Sequence, residues 1–265
     1  MNRYPSSSLS PCLILFLLAF EALAGEIKVV SFNVNLHNQA LEKTMALIEK
    51  RDADVILIQE ATDEFEKASR ILTPQGYQHS WFTGEDLDSG GGFAVISKFP
   101  IVEKEFIRKT TGMFGAQSFG VRIEGVTIQF VNIHLNPADL PRPFNRSSAM
   151  HAMMQNNKPQ VLELRNILKR CKPDRPPVIA GDLNSRPSMS AYKQLNSRGF
   201  IDAHLSIDAT ANAISTWKMV VDGELLQARF DYVFHNGELE AQTFKVVENK
   251  HSDHALLSCS LRLRR

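Results

Sequence analysis

The residues of this 265-residue chain best suited to chemistry stand where apolar runs stop. Val178-Ile-Ala-Gly ends in Asp182 and, one leucine on, Asn184, before Pro187 closes the segment. Ile27 to Phe32 runs into Asn33 and Asn35, Val55 to Ile58 into Gln59 and Glu60, and Ile128 to Ile133 into His134. Asp231 lies inside the strand-like run Arg229-Phe-Asp-Tyr-Val-Phe, and Asp253 and His254 immediately precede Ala255 to Leu257. If these strands share a sheet edge, their ends converge and a rigid scaffold holds the polar groups together. The set is rich in carboxylate and amide oxygen, has two imidazoles and contains no cysteine. Hard oxygen donors suit Mg²⁺ or Mn²⁺ rather than zinc. Such an ion beside histidines points to phosphoryl chemistry: the metal neutralises a phosphate oxygen, a carboxylate or histidine activates water, and another group stabilises the departing oxygen. No serine elbow, phosphate-binding glycine loop or Cys-His pair offers a competing reaction.

Each residue also has a plainer reading. Asn33 alone could satisfy turn backbone, Asp231 could pair with Arg229, and Ser252-Asp-His could cap a turn. Their joint occurrence at the ends of the same kind of strand favours a site. For His37, His79, His151, His204, His235 and His251 the solvated or structural reading is preferred.

The elements that must position these groups alternate along the chain. Short β-branched or aromatic runs, including Phe93 to Ile96 and Tyr232 to Phe234, read as buried strands. Leu41, Met45 and Ile48, and later Val161, Leu164 and Leu168, are spaced as helical faces; residues 64–72 and 188–195 are weaker helix candidates. No repeat, low-complexity block or linker divides them, so the expected class is α and β in layers, sheet inside and helices outside.

Arg3, the apolar run Leu13 to Phe20 and the small residues of Ala22-Leu23-Ala24 read as a secretory signal cut before Gly25. The expected organisation is a signal peptide, residues 1–24, and one domain, 25–265. The apolar run is shorter than the roughly 20 residues that span a bilayer, so no transmembrane anchor is expected after cleavage. The expected product is a monomer, secreted or periplasmic. The net charge of +1 is unchanged by cleavage, because Arg3 and Glu21 leave together. A protein that neutralises many phosphates usually shows a basic excess, and this one has none overall, although a local patch stays open. Cys171 and Cys259 remain, which leaves both one disulfide and two free thiols open.

Taken in order, Ser-Phe-Asn-Val-Asn at 31–35, Ile-Gln-Glu at 58–60, Gly-Gly-Phe-Ala-Val-Ile-Ser-Lys-Phe-Pro-Ile at 91–101, Asn-Ile-His-Leu at 132–135, Gly-Asp-Leu-Asn-Ser at 181–185, Arg-Phe-Asp-Tyr-Val-Phe at 229–234 and Ser-Asp-His at 252–254 resemble the endonuclease/exonuclease/phosphatase superfamily of metal-dependent phosphoesterases. Any one of these motifs is a weak signal; in order, over nearly the whole chain after residue 24, they are a strong one. The resemblance implies an α/β four-layered sandwich, two packed mixed β-sheets flanked by helices, with the site at their upper edge. It implies Glu60 as the principal metal ligand, with Asn33 and Asp253 completing or supporting the metal site. Asp182 and Asn184 resemble the pair that holds the attacking water and a phosphate oxygen. His254 resembles the histidine at the scissile phosphate, Asp231 the carboxylate that orients it, and His134 the second histidine of the pancreatic-type deoxyribonucleases, sphingomyelinases and inositol-polyphosphate phosphatases. Abasic-site endonucleases place a tyrosine in that role, so His134 argues against the DNA-repair branch.

Two departures stand out. Asn35 occupies a position where some repair enzymes carry an aspartate ligand, and the carboxylate that would support His134 has no clear counterpart, Glu85, Asp86 and Asp88 being candidates by sequence proximity only.

The segment Asn136 to Gln160, expected as a loop beside His134, mixes Arg142, Arg146, His151 and Lys158 with Phe144, Met150, Met153 and Met154. That mixture suits a nucleic-acid backbone with stacked bases, or equally lipid headgroups and acyl chains. The preferred substrate is nucleic acid cleaved by an endonuclease. The alternatives are a sphingomyelinase-like phospholipase, for which only Trp81-Phe82 hints at the expected aromatic hairpin, a small-molecule phosphatase, and a non-catalytic binding module. The presence of Glu60, Asp182 and His254 argues against the last.

Overall fold

A computed structural model describes residues 25–84 and 91–264; residues 1–24, expected as a signal segment, and Glu85, Asp86 and Asp88 lie outside the described residues. Two six-stranded sheets face each other. The first runs β13 (Leu239–Val247), β14 (Leu256–Leu263), β1 (Glu26–Asn33), β2 (Val55–Ala61), β4 (Gly92–Ser97), β3 (His79–Thr83). The second runs β5 (Ile101–Ile107), β6 (Ala116–Ile123), β7 (Val126–His134), β8 (Pro177–Asp182), β12 (Asp231–His235), β9 (Ile201–Asp202). Both are mixed: β1 pairs parallel with β2 and β7 parallel with β8, and the remaining ladders are antiparallel. A parallel pair needs a crossover. Helix α1 (Leu41–Glu49) provides it for β1 and β2, and α3 (Arg146–Leu168) for β7 and β8.

The burial pattern follows from period-two alternation. Val29, Leu57, Phe130, Val178, Val233 and Leu257 fill the space between the sheets. Val30, Ile56 and Ile58 point the other way, against Met45 and Ile48 of α1 and Phe65 of α2 (Asp63–Ser69). Val131, Ile133, Ile179 and Phe234 pack outward on Leu164 and Ile167 of α3 and on Leu195 of α4 (Ser190–Ser197). The result is helix, sheet, sheet, helix, the expected four-layered sandwich. Each fully buried side chain of this size contributes about 1.5–3 kcal/mol.

Several elements escape periodicity. β5 and β13 lie at sheet edges, where Glu103, Lys104 and Glu105 and other exposed side chains interrupt the apolar alternation. A two-stranded ribbon, β10 (Trp217–Val221) and β11 (Glu224–Ala228), stands outside both sheets. The segment expected as a loop to Gln160 is irregular only to Asn145, whose side chain accepts from the Ser148 N–H and caps α3. The helix is hidden because residues on its buried face in this part are polar, including Asn156 and Gln160. The last apolar run also differs: Ala255 stays outside β14, which begins at Leu256.

Cys171 and Cys259 are free thiols. Cys259 lies between the sheets and Cys171 packs against the outer face of the second, so the fold keeps them apart. No helix among the described residues is long and apolar enough to cross a membrane.

Candidate active site

The carboxyl ends of the two parallel pairs meet at one edge of the sandwich, where β1 delivers Asn33, β2 Glu60, β7 His134 and β8 Asp182. Alternation alone aims most of them inward: Asn33 shares the face of Val29, His134 that of Phe130, Asp182 that of Ala180, and Asp231 that of Val233. Glu60 breaks this rule, since strict alternation would send it to the helix side with Ile56 and Ile58. A register shift between Gln59 and Ala61, with Glu60 at φ 59°, re-aims it into the site. Gly91 makes room for the bulge: a Cβ there would stand 2.6 Å from the Glu60 Cα.

The Asn33 Nδ2 donates to Glu60 Oε1 at 2.8 Å and to Asp182 Oδ2 at 3.3 Å, while the Leu36 N–H donates to Glu60 Oε2 at 2.7 Å. Asn33 thus presents its nitrogen to the carboxylates and holds them, rather than turning an oxygen to the cleft. Burial pushes the Glu60 pKa up against these hydrogen bonds, and Asp253 adds to the rise. The Asp253 carboxylate borders the same cleft, anchored by Asn35 Nδ2 at 2.7 Å and by Trp217 Nε1 at 2.9 Å.

Asp182 is the hub. Its Oδ1 accepts from the Asn184 N–H at 2.7 Å, and its Oδ2 lies 3.5 Å from His134 Nε2 and 3.6 Å from His254 Nε2. Gly181 lets β8 come this close to β7, because a Cβ at its φ of 140° would sit 1.9 Å from the Ile133 carbonyl oxygen. Burial first, and the Asp231 charge second among the unfavourable effects, raise the Asp182 pKa, with His254 opposing. The other nitrogen of His254, Nδ1, meets Asp231 Oδ2 at 3.0 Å. Burial opposes charge on His254, yet Asp231 and Asp182 outweigh it and raise the pKa to about 10, so the ring is an imidazolium at neutral pH. The suggested Asp231–Arg229 pair does not form: Arg229 Nη2 binds Asp202 Oδ1 at 2.8 Å in a buried ion pair.

Sequence reading missed the groups that hold this set. Thr216 Oγ1 donates to Asp231 Oδ2 at 2.6 Å and accepts from the Asp231 N–H at 3.0 Å. Beneath the site, Gln59 Nε2 donates across the sheets to Asn132 Oδ1 at 2.7 Å, and Asn132 Nδ2 donates to the Ile58 carbonyl at 2.9 Å and to Gln117 Oε1 at 3.2 Å. Amides at inward positions of otherwise apolar strands were the available signal. Phe114, on the segment between β5 and β6, stacks on His134.

The cleft encloses about 200 Å³. Its walls are apolar, with Phe114, Leu140, Met153, Trp217 and Phe230, and no Lys or Arg lines it among the described residues. The basic side chains of the 136–160 segment are elsewhere: Arg146 pairs with Glu224 of the ribbon at 2.8 Å, and Lys158 borders a groove on the far side of α3. Trp81 packs edge-on against Phe119 and Phe82 against the helix-side core, so the suggested aromatic hairpin is a partly buried edge strand.

Asp182, Asp231 and His254 bring ligand atoms within 4.8 Å of one another, a group that could hold a metal ion. The wider site supports one as well. Glu60, Asp182 and Asp253 bring three carboxylates to the cleft, with Asp231 behind His254, and of the flanking bases only His254 is charged at neutral pH. A hard divalent cation fits such an oxygen-rich, negatively charged donor set.

A two-sheet α/β sandwich with a carboxylate and imidazole site at one edge defines a class, and the sequence places the chain within it. Residues 30–254 match the model of the Endonuclease/Exonuclease/phosphatase family, and the chain belongs to that family. It carries the family's phosphoesterase fold. Among solved structures, D. rerio TDP2 complexed with single strand DNA product is similar at a TM-score of 0.70 and 15% identity, over 90% of this chain and 99% of that one. The human Nocturnin catalytic domain with bound sulfate anion gives 0.64 and 18%, over 90% and 95%. A family member from Leptotrichia buccalis gives 0.63 and 19%, over 89% and 100%. No curated protein matches the sequence.

Proposed function

We propose that this protein is a metal-dependent phosphoesterase, secreted or periplasmic, that hydrolyses nucleic-acid phosphodiesters by in-line attack of water. The observation that carries the reading is Asp182 held between His134 and His254, 3.5 and 3.6 Å away, with Glu60 Oε1 3.9 Å from the same His134 nitrogen. Glu60 is the principal metal ligand, with Asp253 beside it and Asn33 orienting the carboxylate. Mg²⁺ or Mn²⁺ held by these residues would supply positive charge to a phosphate oxygen and offset the buried negative charge. Asp182, its basicity raised by burial, orients water and takes its proton as the new P–O bond forms. Asn184 holds that carboxylate: its Nδ2 donates to the Leu135 carbonyl at 2.9 Å and to Asp182 Oδ2 at 3.3 Å. His254, kept charged and oriented by Asp231, stabilises the charge that builds as the bond to the departing oxygen breaks.

The apolar walls favour a flat base stacked beside one phosphate over a track of phosphates, hence a single strand over a duplex. The D. rerio TDP2 structure, with its single-strand DNA product, lends support by likeness. A second reading has its own observation. Met150 and Met154 on α3 and Val220 and Leu225 on the ribbon are 45%, 62%, 67% and 56% exposed, an apolar display that favours a phospholipid headgroup ester. The lack of Lys and Arg in the cleft disfavours inositol polyphosphates.

The test is hydrolysis by the chain starting at Gly25, with Mg²⁺, Mn²⁺ or EDTA, on single-stranded DNA, plasmid DNA, RNA, sphingomyelin and inositol phosphates. The nuclease reading requires metal-dependent cleavage of nucleic acid. Release from lipid with nucleic acid untouched would keep the site and replace the substrate, and silence across the panel would leave a binding role.

A further inference from the structure

The His134 ring lies flat against Phe114, with centroids 3.8 Å apart and an interplanar angle of 9°. The rotation of an imidazole about its last torsion is otherwise soft, with broad, roughly two-fold wells. A ring acting on a phosphate has to be held within about 0.5 Å and 10–20°. Stacking fixes the ring plane, provided Phe114 is itself fixed.

Phe114 belongs to the irregular stretch between β5 and β6, which no ladder holds. What anchors that stretch is Glu163 of α3, 2% exposed. Its Oε2 accepts from the Thr110 N–H at 2.9 Å, the Thr110 hydroxyl at 2.8 Å and the Thr111 N–H at 3.0 Å. The Thr111 hydroxyl donates to the Pro159 carbonyl at 3.0 Å, and the Met113 N–H to Asn136 Oδ1 at 3.2 Å. The same face of α3 reaches the segments after β7 and β8. Asn156 Nδ2 donates to the Asn136 carbonyl at 2.6 Å, and Gln160 Nε2 to that carbonyl at 2.8 Å and to the Asn184 carbonyl at 3.0 Å. Asn156, Gln160 and Glu163, four and three residues apart, therefore form a polar stripe that ties the segments carrying Phe114, His134 and Asn184 to one rigid helix.

We infer that Phe114 and Glu163 are positioning residues for His134: Phe114 sets the plane of the imidazole by stacking, and Glu163 sets Phe114 through the Thr110–Thr111 backbone. This rests on the proposed phosphoesterase function, with His134 Nε2 acting at the reacting centre 3.5 Å from Asp182 Oδ2. A group whose orientation is lost keeps the substrate but loses alignment, so the effect belongs in kcat rather than KM.

The experiment measures kcat and KM with bis(p-nitrophenyl) phosphate and Mn²⁺ for Phe114→Ala, Phe114→Tyr, Glu163→Ala, Glu163→Gln, His134→Ala and the double variant Phe114→Ala/His134→Ala, each checked for folding by thermal melting. Phe114→Ala is expected to lower kcat about tenfold to a hundredfold, separately from any rise in KM due to its place in the cleft wall, and Phe114→Tyr to restore kcat. Adding Phe114→Ala to His134→Ala should cost less than about twofold more. Glu163→Ala should act in the same direction as Phe114→Ala. In proton spectra the His134 ring signals should lose the upfield shift from the neighbouring aromatic face both in Phe114→Ala and in the better-packed Glu163→Gln or Glu163→Ala, whichever folds. Full kcat in Phe114→Ala while His134→Ala is impaired would overturn the inference alone, as would independent, multiplying losses in the double variant. Full activity in His134→Ala would overturn the role of His134 and the inference with it.

Discussion

Asp231, Thr216 and His254 illustrate how much of the candidate chemistry rests on single hydrogen bonds. The Thr216 hydroxyl leaves Asp231 one direction in which to face, and Asp231 leaves His254 one charged state at neutral pH. Removing either end of the proposed machinery should therefore be costly without unfolding the chain. His254→Ala and Glu60→Ala are each expected to reduce metal-dependent turnover by at least about a hundredfold. Steady-state rates of the two purified variants, with melting temperatures near that of the parent, check this, and a near-normal rate in either removes that residue from the site. The types of these residues and their places at strand ends were legible in the sequence. Their partners were not: Thr216 immediately precedes the ribbon and Asn35 Nδ2 crosses to Asp253, contacts separated by 15 and 218 residues that no local pattern encodes.

Among the elements, β2 shows what a strand has to give up to serve a site. The bulge at Glu60 forgoes one ladder position and places a glutamate at positive φ, a conformation uncommon for residues other than glycine. Gly91 is the condition for it, at φ 79° with its α-carbon against the Glu60 backbone. Gly91→Ala is expected to destabilise the fold by about 1–3 kcal/mol and to weaken Mn²⁺ binding, read by thermal melting and by titration calorimetry. Unchanged affinity would mean that the carboxylate reaches the cation by another route. Helix α3 carries the opposite lesson. Val161, Leu164 and Leu168 mark its last turns, while the stretch up to Gln160 lacks an apolar period because its buried residues include Asn156 and Gln160. Apolar periodicity detects helices that pack on a core, whereas Asn156 and Gln160 bind the Asn136 carbonyl.

At the scale of the molecule, two sheets close over a polar end. The Gln59–Asn132–Gln117 amides bridge the sheets directly under the cleft, so the register of one sheet against the other is tied to the geometry of the site. Charge above that layer links stability to pH. His254 has its pKa raised from 6.5 to about 10 in the fold, so its contribution is complete below about pH 6.5 and is lost as pH rises through about 10. Asp182, also raised, loses stability in the same direction as it gives up its proton. In EDTA the protein is expected to melt at falling temperature from pH 6.5 to 10, with His254 supplying at most about 4 kcal/mol of the change. Melting curves of the parent and of His254→Gln test this: the variant should show the flatter profile, and equal slopes would assign the pH dependence elsewhere.

The sequence by itself determined the layers and which polar residues stand at the strand ends. Alternating strands must bury their inward faces, two parallel pairs demand crossover helices, and polar residues at the ends of such strands have only the sheet edge to occupy. Seven motifs in order then pointed to the family. Tertiary structure alone decided what those residues meet. It turned Glu60 inward through a bulge, gave Arg229 to Asp202 instead of Asp231, separated Cys171 from Cys259 by a sheet, and laid Phe114 on His134. The physical reason is range: propensity and periodicity act over a few residues, whereas hydrogen bonds and stacking join whatever the packing of the layers brings within reach.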